Sequence, residues 1–312
     1  MKISQWLETH IPDLTGKTML ITGANSGLGF HTAKSLAARG ASVILACRTE
    51  KKAAMAMQEI RAGLPDADLT FYSLDLMNLE QIGAFADVIR ARHERLDGLI
   101  NNAGIMAVPF SLTRDGFESQ WGTNHFGHFA LVRQLMPLLR QTPGARVVTV
   151  TSGGNHFGRV IPGRFDRSGR YSKWMTYCST KLANLMLTSE LAERIDREKL
   201  DMASIACHPG YASTNLQLVG PRLAGSGRLE TIMSLINRVL AQPAAMGALP
   251  TVYAAASPLA LNGDYFGPGR LAETRGFPAK AIPARRAADT GVRRSLWEES
   301  GQLTGGPLLL QP

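Results

Sequence analysis

A tyrosine and a lysine stand four residues apart in Tyr177-Cys-Ser-Thr-Lys181, twenty-five residues beyond Ser152. Helical spacing puts the two side chains on one face, leaning the same way. A neighbouring ammonium favours phenolate over phenol and so lowers a tyrosine pKa. From a reference near 10, a shift of about two to three units, roughly 3–4 kcal/mol, would let the phenol exchange a proton with an alcohol or carbonyl. Ser152 closes an apolar run and can offer the hydroxyl that holds a substrate oxygen. Only Tyr177 among the six tyrosines has a lysine four positions on, and the spacing alone is modest evidence. The frame must come from the rest of the chain.

The chain has 312 residues, 45% of them hydrophobic, which suits one large α/β domain and excludes disorder. No run reaches the roughly 18 apolar residues of a membrane span. The first fourteen residues mix Lys2, Glu8, His10 and Asp13 with apolar side chains and lack a signal-peptide core. Cys47, Cys178 and Cys207 show no paired spacing, so no disulfide framework is expected and the default compartment is cytoplasmic. The net charge of +9 is spread over scattered arginines without an aromatic-interleaved basic stripe. That pattern reads as a solvated surface, with no nucleic-acid partner.

Lys17 to Thr22 reads as a buried strand running straight into Gly23-Ala-Asn25-Ser26-Gly27-Leu28-Gly29 and a helix from Phe30. Glycines allow a tight turn and close approach to a pyrophosphate, while a helix start offers free N–H groups. A purely structural turn is the competing reading. Ser42 to Cys47 forms the next strand and is followed by Arg48, with Lys51 and Lys52 nearby. An arginine there suits a ribose 2′-phosphate where an acid would suit a free 2′-hydroxyl, so NADP(H) is expected over NAD(H). The bland alternative is a surface charge.

Leu69 to Leu74 is a third strand ending at Asp75-Leu76, where an adenine edge can be read. A helix at 78–92 and a strand at 96–100 follow, closed by Asn101-Asn-Ala103-Gly104. Strand–helix alternation with short joints predicts a single-domain, Rossmann-type, doubly wound parallel sheet of about seven strands flanked by helices. A long helix over 115–140 carries Asn124, His125 and His128. Asn124 is unfavourable inside a helix and is either an exposed polar residue or the mark of a helix break. The two histidines lack an acid or cysteine to complete a metal site, so none is expected.

A strand over 145–151 delivers Ser152, a helix over 172–196 bears Tyr177 and Lys181, and a strand at 202–207 leads into His208-Pro209-Gly210. Residues 212–240 combine glycines with an apolar helical stripe and read either as a substrate lid or as a core-facing helix. A helix at 243–256 and a short strand at 264–266 complete the order. Residues 269–312 read as an irregular tail, helical only over 293–299.

Taken together, Thr22-Gly-Ala-Asn-Ser-Gly-Leu-Gly29, Asn101-Asn-Ala-Gly104, Asn124, Ser152, Tyr177-x-x-x-Lys181 and Pro209-Gly210 resemble the short-chain dehydrogenase/reductase family, in family order. Ala46-Cys-Arg48, the Ser152–Tyr177 spacing and the pair Leu296-Trp-Glu298 and Leu303-Thr-Gly305 resemble its retinol dehydrogenase-like branch. That branch includes WW-domain oxidoreductase, but no WW module is present here. The resemblance implies Tyr177 as proton donor or acceptor, with Lys181 lowering its pKa and holding the nicotinamide ribose. It implies Ser152 on the substrate oxygen, with Thr151 as stand-in, and Asn124 anchoring a relay water. For the cofactor it implies Gly23, Asn25, Ser26, Gly27, Leu28 and Gly29 around the phosphates and ribose. Arg48 would take the 2′-phosphate, Asp75 and Leu76 the adenine, and Asn101, Ala103 and Gly104 the adenosine side. Pro209, Gly210 and Thr214 would lie along the carboxamide.

The expected function is NADP(H)-dependent interconversion of an apolar alcohol and its aldehyde or ketone, with monomer, homodimer and homotetramer all left open by the sequence. Two alternatives stay open: a non-catalytic nucleotide-sensing or interaction module, and an epimerase or dehydratase working through transient oxidation.

Overall fold

The computed structural model describes residues 1–165, 171–211 and 242–310. The proposed lid and Thr214 lie outside the described residues. Eight strands form one sheet in the order β3-β2-β1-β4-β5-β6-β7-β8. They are β1 (Thr18–Thr22), β2 (Ser42–Cys47), β3 (Leu69–Ser73), β4 (Gly98–Asn101), β5 (Ala145–Val150), β6 (Met202–Cys207), β7 (Tyr265–Arg270) and β8 (Arg275–Lys280). All neighbours pair in parallel except β7 with β8.

Every residue of β1 is buried, as expected for a strand covered on both faces. Alternation divides its side chains between the layers. Met19 and Ile21 join a core with Leu36 of helix α2 (Gly27–Ala37), Ile60 of α3 (Glu50–Gly63) and residues of α1 (Ile3–His10). Leu20 joins the opposite core with Phe85 of α4 (Leu79–Arg92) and Leu135. Each such aliphatic side chain contributes about 1.5–3 kcal/mol on burial.

The long helix expected over 115–140 is broken into three pieces. A short α5 (Ser119–Trp121) passes into a π-helical segment, Gly122–Phe126, and then α6 (Gly127–Arg140). The Tyr/Lys helix is α7 (Lys173–Glu198), and α8 (Ala244–Ala256) packs with α2 in the first core.

Two corrections concern the strand count and the C-terminal region. The eighth strand, β8, contains Pro278, which an edge strand tolerates because one side of its backbone needs no partner. Residues 269–312, expected to be irregular, carry β8, a 3-10 turn (Arg285–Ala288) and α9 (Thr290–Leu303). Asp289 caps α9, its Oδ1 accepting from Val292 N at 3.0 Å. Trp297 packs edge-on to Phe129 with ring centroids 5.4 Å apart, and the Arg194 guanidinium lies 4.5 Å from the Trp297 ring. Arg293 is buried against Glu190, with Nε 3.3 Å from Oε2.

The chain winds outward from β1 to β3, crosses back to β4 and winds the other way. The strand order therefore reverses between β1 and β4, opening a crevice at their carboxyl ends.

Candidate active site

β1 delivers the glycine turn to that crevice. Gly23 N donates to Ala46 O at 2.7 Å, and Gly23 and Gly27 take the left-handed φ values of +68° and +55°. Ser26 precedes α2 without a side-chain cap, and no acid sits in the first turn. The opening N–H groups and the positive end of the helix thus remain free for an anion. A side-chain carbon at Gly29 would lie 2.5 Å from both Asn102 Nδ2 and Gly23 O, so only glycine fits. These residues, with Asn25 and Leu28 on the same turn, fit the pyrophosphate of a nicotinamide dinucleotide.

Thr22 ties this cradle to β4, a role its sequence motif does not announce. Its Oγ1 accepts from Asn102 N and Ala103 N, both at 2.9 Å, and lies 2.9 Å from His128 Nε2. His128 Nδ1 faces the Asn124 carbonyl at 3.1 Å, so Nδ1 carries the hydrogen and Nε2 accepts from the Thr22 hydroxyl. Burial pushes the His128 pKa down to about 3 and that of His125 to about 4, keeping both rings neutral. His125 instead faces Ser300 of α9, with Nε2 3.0 Å from Oγ. No group of three or more histidine, cysteine or acidic side chains among the described residues could hold a metal ion.

Arg48 is exposed just past β2, beside the glycine turn, followed by exposed Lys51 and Lys52. Asp75 is half-buried. Its Oδ1 accepts from Met77 N at 3.0 Å and its own N–H donates to Gln81 Oε1 at 2.6 Å, so it shapes the loop after β3. Leu76 is buried in the second core beneath Gly127. The Asn101 side chain is fully buried, its Nδ2 donating to Thr149 Oγ1 at 3.4 Å. Asn102 holds the cradle, its Nδ2 donating to Thr22 O at 2.7 Å.

Asn124 sits within the π-helical turn, a departure that single-residue bulges commonly make at functional sites. Its Oδ1 accepts from Ile105 N at 2.8 Å, and its Nδ2 donates to Ile105 O and Thr180 Oγ1, both at 3.0 Å. The amide therefore clamps the loop after β4 to α7. A side-chain carbon at Gly104 would come within 3.1 Å of Asn124 Oδ1 and 3.5 Å of Lys181 Nζ, which shows how closely the three converge.

Ser152 caps the 3-10 turn Gly153–Phe157, its Oγ accepting from Gly154 N at 3.2 Å. A side-chain carbon at Gly154 would lie 3.6 Å from Ser152 Oγ and 3.7 Å from the Tyr177 ring, so the two side chains are neighbours. Thr151 faces the other way and donates to Lys181 O at 2.6 Å, so its hydroxyl is already engaged. Asn155 Nδ2 supports the Ser152 carbonyl at 2.6 Å and donates to Tyr265 Oη at 2.9 Å.

The pKa relation expected from the Tyr/Lys spacing is corrected here. Burial pushes the Tyr177 phenol up to about 12, with the neighbouring Ser152 hydroxyl pulling the other way. Lys181 Nζ lies 5.8 Å from the Tyr177 ring centre and donates to Val150 O at 3.0 Å. Burial lowers its own pKa to about 8.

β6 ends at Cys207 and is followed by His208, which leads into Pro209 and Gly210. Gly210 takes φ +64°, and Pro209 O accepts from Gln242 Nε2 at 2.8 Å.

A serine, a phenol and an amine thus lie near one another at the carboxyl ends of β4 to β6, beside the glycine turn and the uncapped start of α2. The chain belongs to the short-chain dehydrogenase/reductase family of oxidoreductases, whose short chain dehydrogenase model matches residues 17–219. Within it the chain falls in the retinol dehydrogenase-like branch. It is 36% identical over 311 residues to retinol dehydrogenase 11 of Mus musculus, covering 98% of this chain and 92% of that protein. It is 37% identical to retinol dehydrogenase 13 of Homo sapiens over 299 residues, covering 94% and 86% respectively. The crystal structure of an uncharacterized protein from Mycobacterium paratuberculosis superposes with a TM-score of 0.78 at 39% identity, covering 96% of this chain and 97% of that one. Among the described residues no helix is long and apolar enough to cross a membrane.

Proposed function

We propose that this chain is an NADP(H)-dependent enzyme interconverting an apolar alcohol with its aldehyde or ketone. The observation that carries the reading is the convergence of Ser152, Tyr177 and Lys181 in one partly enclosed place next to the glycine cradle.

A bound nicotinamide nucleotide would supply or accept the hydride. In the reducing direction the Tyr177 hydroxyl gives its proton to the carbonyl oxygen, while the Ser152 hydroxyl donates a hydrogen bond to that oxygen. Lys181 offsets the charge left on the phenolate. Its lowered pKa lets it gain or lose a proton near neutral pH, so it can resupply the phenol through an intervening hydroxyl or water rather than by direct contact. Asn124 holds the loop after β4 against α7 and keeps this set in register.

Arg48 supports the phosphorylated nucleotide, being a cation beside the turn where an acid would repel a 2′-phosphate. Exposed Phe110, Phe157, Trp174 and Met175 on the loops and helix turn around Ser152 and Tyr177 support an apolar substrate. A small cluster of Met106, Ala107 and Tyr177 has the same character.

The test is a panel of short and long aldehydes, ketones and alcohols assayed with NADPH, NADP⁺, NADH and NAD⁺ at 340 nm. Turnover of long-chain or isoprenoid carbonyls with NADPH supports the reading. Nucleotide that stays bound while an isomer or dehydrated product forms would favour transient oxidation instead.

A further inference from the structure

We propose that Glu273, in the turn between β7 and β8, is a positioning residue that fixes the tautomer of His208 and through it the backbone at Pro209-Gly210. The proposal rests on the reading of that segment as nucleotide-facing.

His208 is 2% exposed and directly follows β6. Gly210 N donates to His208 Nδ1 at 3.2 Å, so Nδ1 must present a lone pair. The ring hydrogen of the neutral imidazole then sits on Nε2, which lies 3.0 Å from Glu273 Oε2. The same carboxylate also accepts from Ile282 N, at 2.8 Å to Oε1. One side chain therefore joins the hairpin turn, the segment just past β8 and the ring that orients Gly210. With Nδ1 protonated instead, two N–H groups would face each other at Gly210.

The turn that brings Glu273 here is strained. Leu271, Ala272 and Glu273 have φ values of 48°, 49° and 61°, three successive left-handed residues without a glycine among them. Such residues are unfavourable in that region and persist where surrounding contacts over-determine them. Those contacts point at the 208–211 backbone. Thr274 O accepts from Tyr211 N at 2.9 Å. A side-chain carbon at Gly210 would lie 2.5 Å from Thr274 O, and one at Gly267 would lie 1.9 Å from His208 Nε2. Glycine at both places lets the hairpin press directly on the segment. A hairpin needing only to reverse direction would use glycine or asparagine in such a turn. Here the strain is spent on aiming a carboxylate.

The experiment uses the full chain labelled with ¹⁵N-histidine, and titrations of NADPH and NADH followed by nucleotide fluorescence. In the wild type, the His208 signals, identified by their loss in His208→Gln, should show the hydrogen on Nε2 at pH 7.5. In Glu273→Gln the amide oxygen can accept from only one of the two N–H groups. The Nε2–H signature should then weaken, nucleotide affinity should fall about tenfold, and kcat at saturating nucleotide should stay within about twofold. Circular dichroism and the thermal midpoint report whether the fold is kept. A wild-type His208 carrying its hydrogen on Nδ1 overturns the proposal whatever the variants do. So does a folded Glu273→Gln that binds nucleotide as tightly as wild type. A wild-type chain that binds neither nucleotide overturns the functional reading beneath it, a result separate from either of these.

Discussion

Lys181 and Val150 are joined by a 3.0 Å hydrogen bond from the ammonium to the last carbonyl of β5, which turns Nζ along the strand end rather than onto the phenol. The bond places the lysine between strand and helix, and Thr151 completes the joint by donating to Lys181 O. Strand β5 and helix α7 are thereby locked together at the residues proposed to handle protons.

Tyr177→Phe should lower carbonyl reduction by about a thousandfold, within the range that a positioned proton donor contributes. Nucleotide affinity should change by less than about threefold. Initial rates and fluorescence titration on one preparation check this, and a comparable loss of binding would make the phenol structural.

Arg48→Asp should move the preference from NADPH towards NADH. A charge-assisted contact is worth about 1.5–3 kcal/mol, so the ratio of kcat/KM values should change by at least about tenfold. An unaltered ratio would take Arg48 out of the nucleotide site.

Acid should destabilise the fold through His125 and His128. Both are held neutral with folded pKa values of about 4 and about 3, below the ordinary 6.5. The unfolded chain therefore takes up protons first, and stability falls as pH drops below 6.5. Where both rings contribute, the slope approaches about 2.7 kcal/mol per pH unit, levelling off below about pH 3. Urea midpoints measured from pH 7 to pH 4 check the sign, and His125→Gln should flatten the curve.

Thr22→Val keeps shape but strips the hydroxyl from Asn102 N, Ala103 N and His128 Nε2 at once. A loss of about 2–4 kcal/mol is expected, since the buried His128 nitrogen left unpaired costs about 1–3 kcal/mol and the two half-buried N–H groups add less. Equilibrium denaturation measures it. A cost under about 0.5 kcal/mol would mean that the hydroxyl is not the hub its contacts describe.

Much of this fold was legible because parallel strands buried on both faces announce themselves as short apolar runs, as β1 and β5 do. The cluster of Ser152, Tyr177 and Lys181 was legible by residue type and spacing. The positions of Asn124 and Lys181 were not, because a π-helical turn and a strand-end carbonyl belong to tertiary context. Thr22 ends a strand like any β-branched residue, and only its partners across the sheet reveal its task. The region after 269 misled because proline, glycine and arginine usually mark solvent. Here Pro278 rides an edge strand, and Arg293 and Trp297 are drawn inward by Glu190 and Phe129.

The Thr22 contacts carry a consequence for the life of the protein in the cell. They join residues about eighty positions apart, so the phosphate cradle exists only after β1 has found β4 and a long intervening loop has closed. A nucleotide can therefore recognise the finished molecule but cannot template its making. Plentiful coenzyme should lengthen the survival of chains that have already matured, leaving the pace at which new ones mature untouched.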